Sequence, residues 1–136
     1  MKAYNKDNIF AKIIKDEIPS IKILDEENYL VIMDAFPEKQ GHVLIIPKNE
    51  SRNIFDIETI DLERMMGLAQ KIAIAQRKAF GSSGVKIVQN SESSTGQVVF
   101  HTHLHLIPYF NDTDDMPSSL DTMEKQAEAL KKALME

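Results

Sequence analysis

The sequence predicts an α+β fold, a five-stranded antiparallel sheet with one main helix packed on it, and three observations lead there. Five short apolar runs, at residues 21–24, 29–33, 42–46, 85–89 and 101–108, punctuate the 136-residue chain. The first two are separated only by a polar turn and the last two only by a hydroxyl-rich loop, which suits antiparallel neighbours; parallel ones need crossovers of about a dozen residues or more. The one long stretch of helical periodicity, residues 57–80, interrupts the strands once and does not alternate with them.

Taken in order, residues 7–15 carry Phe10, Ile13 and Ile14 at i, i+3, i+4 spacing behind Asp7 as a cap, a short helix. After the break at Pro19 and Ser20, the runs 21–24 and 29–33 flank the turn Asp25, Glu26, Glu27, Asn28 and read as a hairpin. The polar stretch 37–41 leads into His42 and the third strand, ended by Pro47, which cannot donate to a ladder. Within 57–80, Leu62, Met65, Met66, Ala69, Ile72, Ala73 and Phe80 share one helix face. Asp56, Glu58, Asp61 and Glu63 crowd its start and Lys71, Arg77 and Lys78 its end, matching the helix dipole, with Gly81 placed to close it. Leu68 and Ile74 lie off that stripe, a second apolar strip for a partner subunit to cover. Residues 85–89 are the fourth strand and the histidine-bearing run the fifth. Beyond Pro117 and Ser118, Leu120, Met123, Ala127, Leu130 and Leu134 fall in helical register.

A chain of this length closes one core and not two, so a single domain over residues 1–136 is expected. Its 43% hydrophobic and 27% charged residues exclude the disordered and fibrous classes. No apolar run approaches the ~20 residues that span a bilayer, and no apolar segment of a signal peptide follows the first residues. A cytoplasmic protein with no membrane partner is therefore expected, in agreement with a chain that has no cysteine. The net charge of −5 argues against a nucleic-acid partner, whose phosphates call for clustered Lys and Arg, but leaves room for a small anionic ligand.

Three of the four histidines, His101, His103 and His105, stand at alternate positions of the last apolar run. On a strand they share one face while Leu104 and Leu106 line the other, a row of bases roughly 7 Å apart. Imidazole, with an ordinary pKa of ~6.5, serves as base, acid, nucleophile or metal ligand near neutrality. Two chemistries stay open for such a row. Alternate histidines together with His42 can bind Zn²⁺, although no carboxylate or thiol obviously completes the set and Asp34 is only a distant candidate for it. Alternatively, the middle imidazole attacks phosphorus to give a nucleotidyl-histidine while its neighbours orient it and hydrogen-bond the phosphoryl oxygens. The preceding loop, residues 90–98, contains Gly96 and neither Lys nor Arg, so its backbone N–H groups are the donors it offers an anion.

These residues resemble a known family. The triad His101, His103, His105, preceded by Asn90 and Gly96-Gln97, with Asp34 and Gly41-His42-Val-Leu-Ile-Ile-Pro47-Lys48 upstream, is similar to the histidine triad (HIT) nucleotide-binding proteins. Ile9-Phe10-Ala-Lys-Ile13-Ile14 followed by Glu17-Ile18-Pro19 fits the same pattern, so the resemblance runs over about residues 7–109. It implies a homodimer whose sheet continues across the interface. It further implies hydrolysis of purine nucleotides such as AMP or GMP that carry a leaving group on the α-phosphate, the nucleoside phosphoramidate type. His103 would be the nucleophile, His105 would assist the leaving group, and His101 and His42 would orient the imidazoles. Asp34 would bind the ribose hydroxyls, and Ile9, Phe10, Ile13 and Leu44 would surround the base. Asn90, Gly96, Gln97 and Val98 would hold the phosphate and its surroundings.

The match departs at two places. Relatives with a structural zinc bind it through two cysteines, a histidine and the first triad histidine, where this chain has Asn8, Ala11 and Glu50 beside His101, so no metal and no cofactor is expected. Many relatives carry Ser or Thr where Val98 stands, which removes a hydroxyl from the leaving-group side. Two alternatives accompany the phosphoramidase reading: a dinucleoside polyphosphate hydrolase, and a nucleotide-sensing or scaffold dimer with little catalysis.

Overall fold

Two apolar faces are written into the central strands. In the computed structural model, which describes residues 2–136, β1 (Lys22–Asp25), β2 (Tyr29–Met33), β3 (Val43–Pro47), β4 (Gly84–Val88) and β5 (Leu104–Tyr109) form one sheet. Its order is β1-β2-β3-β5-β4 with every neighbouring pair antiparallel, as expected. β2 and β3 are buried at every position. Because strand side chains alternate, Val31, Met33, Val43 and Ile45 enter one core and Leu30, Ile32, Leu44 and Ile46 the other.

The larger core is closed by α2 (Thr59–Phe80) through Met65, Ala69, Ile72, Ala75 and Phe80, and by α3 (Met123–Leu134) through Ala127, Leu130 and Ala133. The smaller core is closed by the single turn and a half of α1 (Ile9–Ile14), through Phe10 and Ile13. Burying that second face of the sheet leaves the cleft in which the site lies.

Several local expectations are corrected. Asn8, not Asp7, caps α1, its side-chain oxygen accepting the Ala11 N–H at 2.8 Å. Met66 is 45% exposed and Ala73 half-buried, because the stripe facing the sheet keeps the i, i+4, i+7 progression Met65, Ala69, Ile72 and each sits one step off it. Leu68 packs against the core, so the outward strip is Met66 with Ile74, 52% exposed. Pro47 is the last residue of β3 and not the stop before it, paired with Tyr29. The adjacent backbone bond runs from the Lys48 N–H to the Asn28 carbonyl at 2.8 Å, so Pro47 occupies a non-hydrogen-bonded pair and its missing N–H costs β2 nothing. Its carbonyl faces away from β2, toward a region where the β3–β5 ladder, which ends at Ile45 opposite Leu104, supplies no donor.

Among the described residues no helix is long and apolar enough to cross a membrane. The turn before β3 is set by Gly41, at φ +85°, where a Cβ would lie 2.7 Å from Phe80 Cε2. Its carbonyl and that of Leu106 both accept from the buried Gln76 amide at 3.1 Å, tying the turn to α2. Gly41→Ala should therefore lower the urea midpoint by the equivalent of about 2 kcal/mol or more. Gly67→Ala, on the exposed face of α2 with nothing within 4 Å of the added carbon, should raise it by ~0.5–1 kcal/mol.

Candidate active site

Antiparallel pairing places Leu44 opposite His105. His42, two residues earlier, consequently reaches the same end of the sheet. Its Nε2 lies 2.9 Å from His105 Nδ1 and 3.3 Å from Asp34 Oδ2. Asp34 follows β2 directly: its N–H donates to the His42 carbonyl at 3.0 Å and its Oδ1 accepts the Phe36 N–H at 2.8 Å.

The triad is not one row. β5 begins at Leu104, so of the three only His105 belongs to the strand. His103 stands at its entrance and lines the same cavity, its ring edge-on to His105 at 4.9 Å and to Phe10 at 4.7 Å. His101 turns beneath the site, 1% exposed, and donates from Nε2 to the Pro47 carbonyl at 2.6 Å. That carbonyl, left without a strand donor, is satisfied by a side chain. The Tyr4 hydroxyl donates in turn to His101 Nδ1 at 2.5 Å.

The hydrogen bonds assign the protons. His103 Nδ1 lies 2.7 Å from the His101 carbonyl, which can only accept, so Nδ1 carries the hydrogen and Nε2 keeps its lone pair. His42 Nδ1 accepts the Glu38 backbone N–H at 3.1 Å, which puts the His42 proton on Nε2. That proton faces His105 Nδ1 and leaves His105 with N–H at Nε2. The two imidazoles thus differ: His103 offers an unprotonated nitrogen and His105 a donor.

Both open into a cavity of about 780 Å³ whose apolar wall is made by the buried Phe10, Ile13, Ile32 and Leu44 with the exposed Ile9. Asp34, Asn90, Gly96 and Val98 line it as well. Phe10, Ile13 and Leu44 are at once core and cavity wall, being buried in the smaller core. Gln97 is not among the lining residues; its amide is spent beneath the loop, on Asn53, Glu92, Arg52 and Val99. The Gly96 and Gln97 N–H groups close a tight turn onto the Ser93 and Glu92 carbonyls, so the anion nest expected there does not form from them. Gly96, at φ +103°, instead redirects the chain so that Val98, 82% exposed, sits at the cavity mouth. Phe36 and Met123 also line it; Phe36 has no periodic signal in the sequence to mark it, and the helical register that includes Met123 marks it only as core.

Asp34, the distant candidate for completing the set, does meet the histidines: its carboxylate, His42 and His105 offer ligand atoms all within 4.8 Å of one another. A cation there would have to displace the proton of His42 Nε2, whose ring is held in that tautomer by the Glu38 N–H. The donor set therefore suits a proton network better than a metal. Burial pushes His103 down to about 4, with the neighbouring histidines adding to the shift against the His101 carbonyl bond. Burial also lowers His101, His42 and His105, opposed at the last two by the Asp34 carboxylate.

The sequence profile of the HIT domain matches residues 15–112. A crystal structure of a Hit-like protein involved in cell-cycle regulation from Bartonella henselae aligns with a TM-score of 0.87 and 37% identity, over 96% of this chain and 99% of that one. A HIT family hydrolase from Legionella pneumophila aligns with a TM-score of 0.68 and 34% identity, over 79% and 96%. The adenylylsulfatase HINT3 of Arabidopsis thaliana is 36% identical over 102 residues, 75% of this chain and 52% of that protein.

A histidine that resists protonation until about pH 4 in the folded state, against 6.5 unfolded, makes the unfolded chain bind more protons between those values. Stability therefore falls as pH drops through that window. Urea unfolding at pH 5 should show a loss on the order of 1–2 kcal/mol relative to pH 7 from this group, and His103→Asn should shrink that loss.

Proposed function

The chain belongs to the HIT domain family, and from that premise we propose that it is a purine-nucleotide-binding hydrolase. It cleaves AMP-X substrates of the nucleoside phosphoramidate type at the α-phosphate, through a nucleotide held covalently on His103. The observation that carries the reading is the pair of opposite tautomers, lone pair on His103 Nε2 and N–H on His105 Nε2, in one cavity.

In the first step the His103 lone pair forms a bond to phosphorus and the P–X bond breaks, its electrons leaving on X, which the His105 N–H stabilises. In the second, water displaces the imidazole. Over both steps one P–X and one water O–H bond break, one P–O and one X–H bond form, and His103 is returned unchanged. The His101 carbonyl stabilises the charge that His103 acquires, as the acceptor of its Nδ1–H. Asp34 binds the ribose hydroxyls, and the apolar wall of the cavity takes the base, a surface that discriminates adenine from guanine poorly.

The quaternary and cofactor readings rest on the surface. β4 is an edge strand with Val85 and Ile87 partly exposed, and Met66 and Ile74 project from α2. Such uncovered apolar groups and an open ladder support a homodimer that extends the sheet. Absence of a structural zinc is supported by the local chemistry: Asn8 is spent capping α1, Glu50 pairs with Lys6 at 3.9 Å, and both nitrogens of His101 are occupied. The reading places the protein in the cytoplasm, with neither nucleic acid nor membrane as partner.

His103→Ala should cut turnover by several orders of magnitude while AMP affinity stays within a few-fold, since nucleophile loss acts on the transition state. Intact-mass spectrometry of the wild type under rapid quench should find one nucleotide per chain, absent from the variant; unchanged turnover in the variant would sink the reading. The substrate panel should include adenosine phosphosulfate, given the adenylylsulfatase relative, and a dinucleoside polyphosphate. Metal analysis should find no stoichiometric zinc, and chelator should leave both activity and melting temperature where they were.

A further inference from the structure

Beneath the cavity, a polar knot ties residues 51–56 to residues 91–99. Arg52 grips Glu92 with two hydrogen bonds, Nε to Oε2 at 2.8 Å and Nη2 to Oε1 at 2.9 Å. Asn53 donates to the same carboxylate and, at 3.0 Å, to the Gln97 side-chain oxygen, which also accepts the Glu92 N–H at 2.7 Å. The Gln97 amide then donates back to the Arg52 carbonyl at 2.7 Å. Arg52, Asn53 and Gln97 are all buried, and the Arg52 guanidinium lies 4.1 Å from the Phe100 ring centre.

The knot holds a backbone that would not hold itself. Glu92 sits at φ +78° and ψ 157°, an extended conformation at positive φ that a residue with a Cβ keeps only where its surroundings over-determine it. From that residue the chain passes through the tight turn to Gly96 and delivers Val98 to the cavity mouth. The same short segment fixes the approach to His103: the Thr102 N–H donates to the Ser51 carbonyl at 2.9 Å, next to the His101 carbonyl that sets the His103 tautomer. Neither Arg52 nor Glu92 lines the cavity. The guanidinium holds the Glu92 carboxyl at about 2, so the pair stays ionised at any pH where the His103 imidazole is neutral.

We propose that Arg52 and Glu92 are positioning residues for the α-phosphate, acting through the turn of residues 92–98 that faces His103. The proposal rests on the nucleotide-binding reading of the cavity. The turn carries no Lys or Arg of its own and spends its Glu92, Thr95, Gly96 and Gln97 N–H groups internally, so the backbone donor it brings to the cavity is that of Val98, whose worth depends on its being held in place beforehand.

The test compares adenosine with AMP, which differ only by the phosphate. In Arg52→Met, adenosine affinity should stay within about twofold while the advantage of AMP over adenosine falls about tenfold or more, and kcat on an AMP phosphoramidate should drop by about 10- to 100-fold, the cost of a small misplacement of reacting groups. Glu92→Gln, which keeps the shape and loses the charge, should show the same pattern more weakly. The exchanged pair Arg52→Glu with Glu92→Arg should recover part of the AMP advantage relative to either single change. Adenosine and AMP affinities that fall together would reduce the knot to a general stabiliser, and an unchanged AMP advantage in folded Arg52→Met and Glu92→Gln would overturn the proposal. Absence of turnover and of any covalent nucleotide in the wild type would count against the hydrolase reading alone, because the affinity ratio still reports on the knot.

Discussion

Antiparallel pairing of β3 with β5 sets Leu44 opposite His105, and the chemistry of the site is measured from that pair. One partner extends back to His42 and Gly41, the other back to His103, so a single register brings His42 and His103 to either side of His105. A slip of one residue would turn His105 into the larger core and Leu104 into the cavity. That slip is forbidden because it would bury the His105 imidazole among the apolar side chains of the larger core without a hydrogen-bond partner. Packing of the cores is thus what specifies the geometry of the polar site.

Burial then sets what the imidazoles can do. A histidine on a wet strand is protonated part of the time near neutrality; one pressed against Phe10 and roofed by α1 stays neutral well into acid. Neutral rings have one donor and one acceptor each, and here the backbone chooses which is which: the His101 carbonyl for His103, the Glu38 N–H for His42. Two backbone groups of opposite sense thereby make two neighbouring histidines chemically unlike, with no other charge required to distinguish them.

Legibility in the sequence followed the range of the interactions. The five strands, the long helix and its closing Gly81 were readable because periodicity and capping are local. Alternation placed His105 opposite Leu104 and Leu106 correctly. It misplaced His101, whose direction is decided by an orphan carbonyl on Pro47 in another strand. Gly96 was recognisable as a special backbone position, but Glu92, which shares the strain of that loop, was not, because its partner Arg52 is 40 residues away and nothing in either residue's neighbourhood announces the pair. Asp34 carried no mark of its place either, although the short turn between residues 34 and 42 brings it to 3.3 Å from His42.

By itself, then, the sequence determined the class of fold, the identity of the histidine site and its family, since these depend on residue type at short spacings. Tertiary structure alone decided which nitrogen of each ring carries its proton, which triad member leaves the row, and what holds the loop beside His103. Those outcomes depend on carbonyls, N–H groups and counter-charges contributed from distant segments, and only the closed fold brings such groups within hydrogen-bonding distance.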